Sequence, residues 1–131
     1  MLPVKIRLIN MGKIEREYIS VIREYEKRIS FLAHAKFIHK GKIDNEAILL
    51  DPQGREISSD EFYELIKNHT ASGKTLTFVV GPPEGFEENI KRKKESISLS
   101  KLTLRHELAY LILLEQIYRA LLRMRGTSYE K

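Results

Sequence analysis

Residues 96–118 read SISLSKLTLRHELAYLILLEQIY, and this stretch decides how the rest of the 131-residue chain is interpreted. Its first part, Ile97-Ser98-Leu99, has the character of a short strand, and the polar turn Ser100-Lys101 follows it. A helix that covers one core needs a single apolar stripe, but the predicted helix that comes next is apolar on nearly every side. Its apolar residues are Leu108, Ala109, Leu111, Ile112, Leu113, Leu114 and Ile117. We therefore expect part of this helix to face a second copy of the chain.

The first part of the chain predicts an alternation of strands with a helix. Val4 to Ile9 alternates apolar and basic side chains as a strand does, and Lys13 to Leu32 keeps a helical period of apolar residues. Ala35 to His39 and Ala47 to Leu50 are the next predicted strands. Asp51-Pro52-Gln53-Gly54 then has the composition of a tight turn, which would end the strand Ala47 to Leu50.

The middle of the chain continues the alternation. Ser58 with Glu61 has the spacing of a capping box, which predicts the start of a helix. Thr75 to Val80 is a continuous β-branched and aromatic run, typical of a strand covered on both faces. Glu84 to Lys94 predicts a short polar helix before the last strand. The pattern indicates a single α/β domain over residues 1–131, with a mostly parallel sheet flanked by helices.

The balance of charges favours an anionic partner. Lys and Arg number 23 against 18 Asp and Glu, which gives a formal net charge of +5 at pH 7. A basic protein attracts polyanions, because each phosphate that a Lys or Arg neutralises releases counterions. A highly charged surface on a heat-stable protein is the alternative interpretation.

Other bulk features exclude several classes of protein. The absence of cysteine excludes a disulfide framework and thiolate zinc sites, and it fits a reducing cytoplasm. The four histidines lack the spacing of zinc ligands, so we expect no metal site. No apolar run has the length of a membrane-spanning helix, and the N-terminus lacks a signal-peptide pattern, so we expect no membrane association.

Three predicted strand ends are candidates for a ligand site. Ligands of open α/β sheets bind beyond the carboxyl ends of the strands, here Leu50-Asp51, Val80-Gly81 and Leu99-Ser100. No dinucleotide or phosphate loop motif is present. What remains is loop backbone and leucines, which suit a neutral adenine ring. On these residues alone, ordinary core leucines and a turn glycine are the simpler interpretation.

Three motifs give the chain a resemblance to a known family. They are FVVGPPEGF at Phe78–Phe86, SLSKLTLRH at Ser98–His106 and RGTSYEK at Arg125–Lys131. Their order and spacing resemble the SPOUT-class methyltransferases, and among them the small bacterial-type enzymes that methylate pseudouridine in large-subunit ribosomal RNA. The resemblance covers most of the chain from Ile48 to Tyr129, with the opening strand and its Gly12-Lys13. It implies a C-terminal trefoil knot, a homodimer and S-adenosylmethionine (SAM) as cofactor.

The resemblance also implies residues for the site. Carried over by position, the cofactor-binding residues are Leu50, Gly81, Leu99, Ser100, Lys101, Leu102, Thr103 and Leu104. The candidate catalytic residues are His106, Arg119 and Tyr129. Arg119 lies one turn after Glu115, so a structural ion pair is the alternative for it. In the family, the tail that contains the tyrosine completes the active site, usually that of the other subunit.

Basic residues of the second half are candidates for RNA binding. Lys91-Arg92-Lys93-Lys94 is the densest basic cluster, and Arg123 and Arg125 follow near the end of the long helix. An RNA enzyme uses such groups to hold phosphates without reading the base sequence. The alternative is a solvated helix face with cations placed near helix C-termini.

Four features depart from the family pattern. Pro82 stands in place of the second glycine, Arg105 in place of a proline, and Glu130 in place of a histidine. The connection from His39 to Ala47 is too short for the helix that the family has between its second and third strands. The resemblance implies a cytoplasmic, SAM-dependent enzyme that methylates N3 of a pseudouridine in large-subunit ribosomal RNA. A non-catalytic RNA-binding dimer and a methyltransferase for a different RNA are the alternatives.

Overall fold

A computed structural model describes residues 1–127 of the chain. The described residues form five strands and four helices, in the predicted alternation. In chain order they are β1 (Lys5–Asn10), α1 (Arg16–Leu32), β2 (His34–His39), β3 (Ile48–Glu56), α2 (Ser59–Ala71), β4 (Leu76–Val80), α3 (Glu88–Lys93), β5 (Glu95–Ser98) and α4 (His106–Met124).

The five strands form one sheet in the order β2-β1-β4-β3-β5. Every neighbouring pair is parallel, so the predicted α/β fold with a parallel sheet is confirmed, and the parallel arrangement is complete. The central strand β4 is buried along its whole length, as its run of β-branched and aromatic residues predicted. No helix within residues 1–127 is long and apolar enough to cross a membrane.

The main core lies between one face of the sheet and the helices α1, α2 and α4. Ile6 and Leu8 of β1 point into this core, which also contains Leu113 of α4. Phe62 of α2 stacks on Phe78 of β4, with 5.4 Å between the ring centroids. Full burial of an aliphatic or aromatic side chain of this size contributes about 1.5–3 kcal/mol, so these contacts hold the helices on the sheet.

The start of α2 is fixed by its own sequence. The Ser58 hydroxyl accepts a hydrogen bond from the Glu61 N–H at 3.1 Å, and the Ser58 N–H donates to the Glu61 carboxylate at 2.8 Å. Both bonds of the predicted capping box are therefore present. They satisfy donors that the first turn of a helix leaves without partners.

The third strand continues past the turn that the sequence predicts. The pairing of β3 with β5 shifts register between Leu50 and Arg55, and Asp51-Pro52-Gln53-Gly54 lies inside this shift. The chain does turn locally there, since the Asp51 carboxylate accepts from the Gln53 N–H at 3.0 Å. The prediction that the strand ends at Leu50 is nevertheless wrong, because β3 resumes pairing and runs to Glu56.

Several predicted boundaries also differ from the structure. Helix α1 begins at Arg16 instead of Lys13, and the predicted polar helix is confined to Glu88–Lys93. The residues before α3 form a turn instead, in which the Gly85 N–H donates to the Pro82 carbonyl at 2.8 Å. Strand β5 ends at Ser98, so Leu99 belongs to the loop that follows it.

The connection between β2 and β3 contains no helix, as its length predicted. Its residues Ile43 and Ala47 pack on the sheet face opposite the main core, against Ile9, Leu49 and Val79. This second cluster is small and lies toward the carboxyl ends of the strands. Among the helices of residues 1–127, none covers the rest of that face, over β1 and β2.

Candidate active site

Leu50 lies in register with residues of both neighbouring strands. It pairs with Val80 of β4 on one side and with Ile97 of β5 on the other. Adjacent strands are about 4.8 Å apart, so the loops that begin at Gly81 and Leu99 leave the sheet close to Leu50. The structure thus brings together the three positions that the sequence singled out, although at Leu50 the strand β3 continues through a register shift and does not end.

The loop between β5 and α4 is held by short-range hydrogen bonds. The Ser98 hydroxyl donates to the Ser100 carbonyl at 2.7 Å, and the Leu102 N–H donates to the Ser100 hydroxyl at 3.0 Å. The Leu102 side chain is 70% exposed. Within residues 1–127, the N–H groups of Thr103 and Leu104 donate to no other backbone group. The loop therefore presents an apolar side chain beside available backbone donors.

Gly81 is buried at the end of β4, where there is little room for a side chain. A β-carbon on Gly81 would lie 2.9 Å from two carbons of the Phe86 ring. Phe86 packs against the small cluster that contains Leu49 and Val79. A larger residue at position 81 would therefore displace Phe86 and reshape the loop next to Leu50.

His106 begins α4 and connects it to the loop after β1. Its Nε2 donates to the Lys13 carbonyl, its Nδ1 lies 3.2 Å from Glu107 Oε1, and the side chain is 11% exposed. The ring packs directly on Gly12, since a β-carbon there would lie 2.7 Å from Nε2. Both ring nitrogens thus face oxygen atoms of the protein.

Glu107 is a buried carboxylate that the sequence reasoning missed. Its Oε2 accepts from the Glu15 N–H at 3.3 Å and from Arg105 Nη2 at 3.4 Å, and the residue is fully buried. Burial alone would raise the pKa of Glu107, but hydrogen bonds from its own N–H, Arg105 and Glu15 outweigh burial and lower it. The sequence does contain a signal for this buried carboxylate, because Glu107 stands next to His106 at the start of an apolar helix.

Arg119 forms the ion pair that was the alternative to a catalytic role. Its Nη2 donates to Glu115 Oε2 at 2.8 Å. Arg119 lies thirteen positions after His106 on α4, which is roughly 20 Å along the helix axis. One subunit therefore does not bring these two candidates together. Tyr129, the third candidate, lies outside the described residues.

The face of α4 opposite the main core carries apolar residues beside the ion pair. Leu108, Ile112, Glu115 and Arg119 follow one another at three- and four-residue steps, so they share one side of the helix. Leu108 and Ile112 are half-buried, yet they belong to neither core cluster. The core thus leaves one apolar side of α4 uncovered in part.

Two of the lysines predicted to bind RNA are engaged within the protein. Lys91 Nζ lies 3.1 Å from Asp51 Oδ2 and donates to Gln53 Oε1 at 2.9 Å. The hydrogen bond to Asp51 raises the pKa of Lys91. Lys94 Nζ donates to the Asn45 carbonyl at 3.3 Å. Lys91 therefore ties α3 to the register shift in β3.

The remaining basic candidates divide into engaged and exposed groups. Arg123 Nη1 lies 2.7 Å from Asp60 Oδ1, and its guanidinium stacks 4.0 Å from the centroid of the Tyr63 ring. Arg92, Lys93 and Arg125 are exposed and form no ion pair within residues 1–127. Since the pair with Asp60 is solvent-exposed, it holds Arg123 only weakly and leaves it accessible to an anion.

Other features of the surface lie away from the strand ends. Two surface hollows of about 510 and 850 Å³ lie along α1 and over β1 and β2, and neither is lined by a predicted cofactor-binding residue. No group of three or more His, Asp or Glu side chains within the described part of the chain could hold a metal ion.

Comparisons with known proteins agree on one family. The family model described as "Predicted SPOUT methyltransferase" matches residues 33–130. A protein of Enterococcus faecalis is 34% identical over 159 residues, which cover 98% of this chain and 100% of the relative. A protein of Dictyoglomus thermophilum is 39% identical over 126 residues, with 94% and 82% covered. Both are named ribosomal RNA large subunit methyltransferase H.

A solved structure resembles the chain in fold. A Legionella pneumophila protein, described as a methyltransferase in complex with bound SAM, superposes with a TM-score of 0.50. It is 15% identical in sequence, and the match covers 90% of this chain and 66% of that protein. Together with the close sequence relatives, the family match leads to one conclusion. The chain belongs to the SPOUT methyltransferases, in the group of the ribosomal RNA large subunit methyltransferase H proteins.

Proposed function

We propose that this protein transfers a methyl group from SAM to N3 of a pseudouridine in large-subunit ribosomal RNA. Membership of the SPOUT methyltransferases supports the methyl transfer, and the names of the relatives support the ribosomal RNA substrate. The observation that carries the proposal is the register of Leu50 with Val80 and Ile97, because it places the loops after β4 and β5 beside the register shift that follows Leu50 in β3.

The residues at this edge fit the chemistry of SAM. The exposed Leu102 and the half-buried Leu50 would contact the apolar faces of an adenine ring. The N–H groups of Thr103 and Leu104 would donate to ring nitrogens, which require backbone or side-chain donors. Because Gly81 has no side chain, the Phe86 ring packs directly against the end of β4 and shapes the loop next to Leu50. When bound, SAM supplies a methyl group activated on a positively charged sulfur.

The protein must also help the acceptor nitrogen to lose its proton. A cation near a uracil-type ring stabilises the negative charge that develops on it. Arg119 suits this role, and in our proposal it comes from a second subunit, because it lies far from His106 within one chain. His106 holds the start of α4 on the Gly12-Lys13 loop and so positions the cofactor loop. Tyr129 of the partner's tail would complete the site.

The homodimer belongs to this proposal and is supported by the outer face of α4. Leu108 and Ile112 lie there outside both core clusters, on the same side as Arg119. Burial of this side against a second copy would cover apolar surface and bring Arg119 to the other subunit. A small domain with a site completed in trans needs such an assembly to be active.

The trefoil knot of the family is also part of the proposal. Close packing of chain segments around β3 and β5 supports it. A β-carbon on Gly54 would lie 2.7 Å from the carbonyl carbon of Ser96 and 2.8 Å from the nitrogen of Ile97.

An enzyme that acts on ribosomal RNA would work in the cytoplasm.

Nucleoside analysis tests the proposed reaction. Purified protein is incubated with methyl-labelled SAM and large ribosomal subunits from cells that lack this enzyme, and the RNA is digested for mass spectrometry. We expect the label in one N3-methylated pseudouridine. Label in another nucleoside would show a methyltransferase for a different RNA position. SAM binding without any transfer would point to a non-catalytic RNA-binding dimer.

A further inference from the structure

The sheet has an open face that the proposed reaction does not use. The helices α1, α2 and α4 all pack on the face that carries Ile6 and Leu8. Side chains alternate along a strand, so Lys5 and Arg7 point to the opposite face. In the register of the two strands, Lys5 lies beside His34 of β2, and Arg7 lies beside Lys36. We call this surface, defined by Lys5, Arg7, His34, Lys36 and Thr75, the open sheet face.

The short connection between β2 and β3 explains why this face is open. Its residues Ile43 and Ala47 cover only the apolar part of the face, near Ile9, Leu49 and Val79. The remaining part forms a hollow of about 850 Å³ over β1 and β2. Parallel sheets are normally covered on both faces, so a polar, uncovered part is unusual.

The charges in the hollow are unbalanced. Asp44 is the carboxylate that lines it, and both of its oxygens are engaged by Arg7 and by the Thr77 hydroxyl at 2.9 Å. The hydrogen bond from Arg7 is the largest cause that lowers the pKa of Asp44. Lys5 and Lys36 are exposed and form no ion pair within residues 1–127. Solubility needs only polar side chains, whereas this surface presents an excess of unpaired cations.

We propose that the open sheet face binds the sugar–phosphate backbone of the RNA substrate, away from the nucleotide that is methylated. Lys5 and Lys36 are diagonal neighbours on adjacent strands, so their α-carbons are about 8 Å apart. Their long side chains can therefore contact neighbouring phosphates of one strand. Lysine contacts phosphate as a point charge and reads no base, which suits a surface that only anchors RNA.

The position of the surface assigns it to binding and not to chemistry. It lies on β1 and β2, at one end of the strand order. The proposed cofactor site lies beside β3 and β5, toward the other end. Contacts that are equally strong in the ground state and the transition state lower KM without changing kcat. The inference rests on the proposed ribosomal RNA substrate, but RNA binding can be measured without methyl transfer.

The test compares Lys5→Ala/Lys36→Ala with the matched control Lys27→Ala/Lys67→Ala, which removes two exposed lysines from α1 and α2. Binding of a fluorescent transcript of large-subunit ribosomal RNA is titrated at several salt concentrations. The logarithm of the RNA association constant falls linearly with the logarithm of the salt concentration, and each lost phosphate contact makes this slope less steep by about 0.7–0.9. We expect the open-face variant to lose about 1.4–1.8 of slope and to bind about tenfold more weakly, with the control unchanged.

Three results would overturn the inference. The first is equal RNA affinity and salt slope for the open-face variant and the control. The second is failure of the wild-type protein to bind the transcript at all. The third is that poly-glutamate competes for Lys5 and Lys36 as strongly as RNA does, which would assign the surface to an acidic protein. If the wild type binds RNA but transfers no methyl group, the proposed function fails alone, and the binding titration still decides the role of this surface.

Discussion

The imidazole ring of His106 rests against the α-carbon of Gly12, so the start of the last helix is packed onto the first loop of the chain. A β-carbon at position 12 would lie 2.7 Å from His106 Nε2 and 2.8 Å from Cγ. The same ring contacts the Lys13 carbonyl. The loop that we propose to bind the cofactor ends at this helix start, so the contact positions the site without touching it.

A double-mutant cycle tests this contact. Gly12→Ala should lower the free energy of unfolding by about 1–3 kcal/mol, because the added methyl group overfills a packed site. In the background of His106→Ala the ring is absent, so the same change should have little effect. Chemical denaturation of the four proteins gives the coupling. Equal effects of Gly12→Ala in both backgrounds would contradict the proposed positioning.

The buried carboxylate of Glu107 predicts a pH dependence of stability. Its folded pKa lies below the ordinary glutamate value of 4.5, so its stabilisation is present above that value and is lost as the pH falls through the folded pKa. We expect Glu107→Gln to lower the free energy of unfolding by about 1–3 kcal/mol at pH 7. The difference between wild type and variant should shrink below about pH 4.5. A difference that stays constant on acidification would contradict the assignment.

The sequence predicted those features of the fold that depend on neighbouring residues, and it missed those that depend on residues far apart in the chain. The capping box of Ser58 and Glu61 and the buried run of β4 were predicted, because neighbouring residues alone decide them. The continuation of β3 through Asp51–Gly54 was not, because only pairing with β5 extends a segment of turn composition.

The candidate site shows the same division. The meeting of Leu50 with the ends of β4 and β5 was expected from the rule that ligands bind at the carboxyl ends of strands and from the family resemblance, and the strand order places these positions side by side. The burial of Glu107 against Glu15 and the engagement of Lys91 by Asp51 join residues that are distant in the chain. No pattern in the sequence specifies such partners, so charged residues that look alike there differ in role in the structure.

Substitution on the outer face of α4 tests the proposed dimer. Ile112 is half-buried and outside both core clusters, so Ile112→Glu should leave the fold intact. A buried carboxylate without a partner would strongly disfavour association with a second copy. Sedimentation should show a dimer for the wild type at micromolar concentration and a monomer for the variant. Lys67→Glu on α2 is the control, and a monomeric wild type would contradict the assembly.

Loss of methyl transfer should accompany loss of the dimer. In our account Arg119 acts on the site of the other subunit, so the Ile112→Glu monomer should transfer no methyl group to ribosomal RNA. A monomeric variant with full activity would show that one subunit contains the complete site.

The location of the cofactor is tested most directly by calorimetry of SAM binding to the wild type and to Gly81→Val. The valine side chain would collide with Phe86, so it should displace the loop beside Leu50. Pro83→Ala, at an exposed position of the same loop, is the matched control, and thermal unfolding checks that each variant is folded. We predict that the wild type and Pro83→Ala bind SAM, whereas folded Gly81→Val shows no measurable binding. Unchanged SAM affinity in Gly81→Val would contradict the placement of the cofactor at the ends of β4 and β5 beside Leu50.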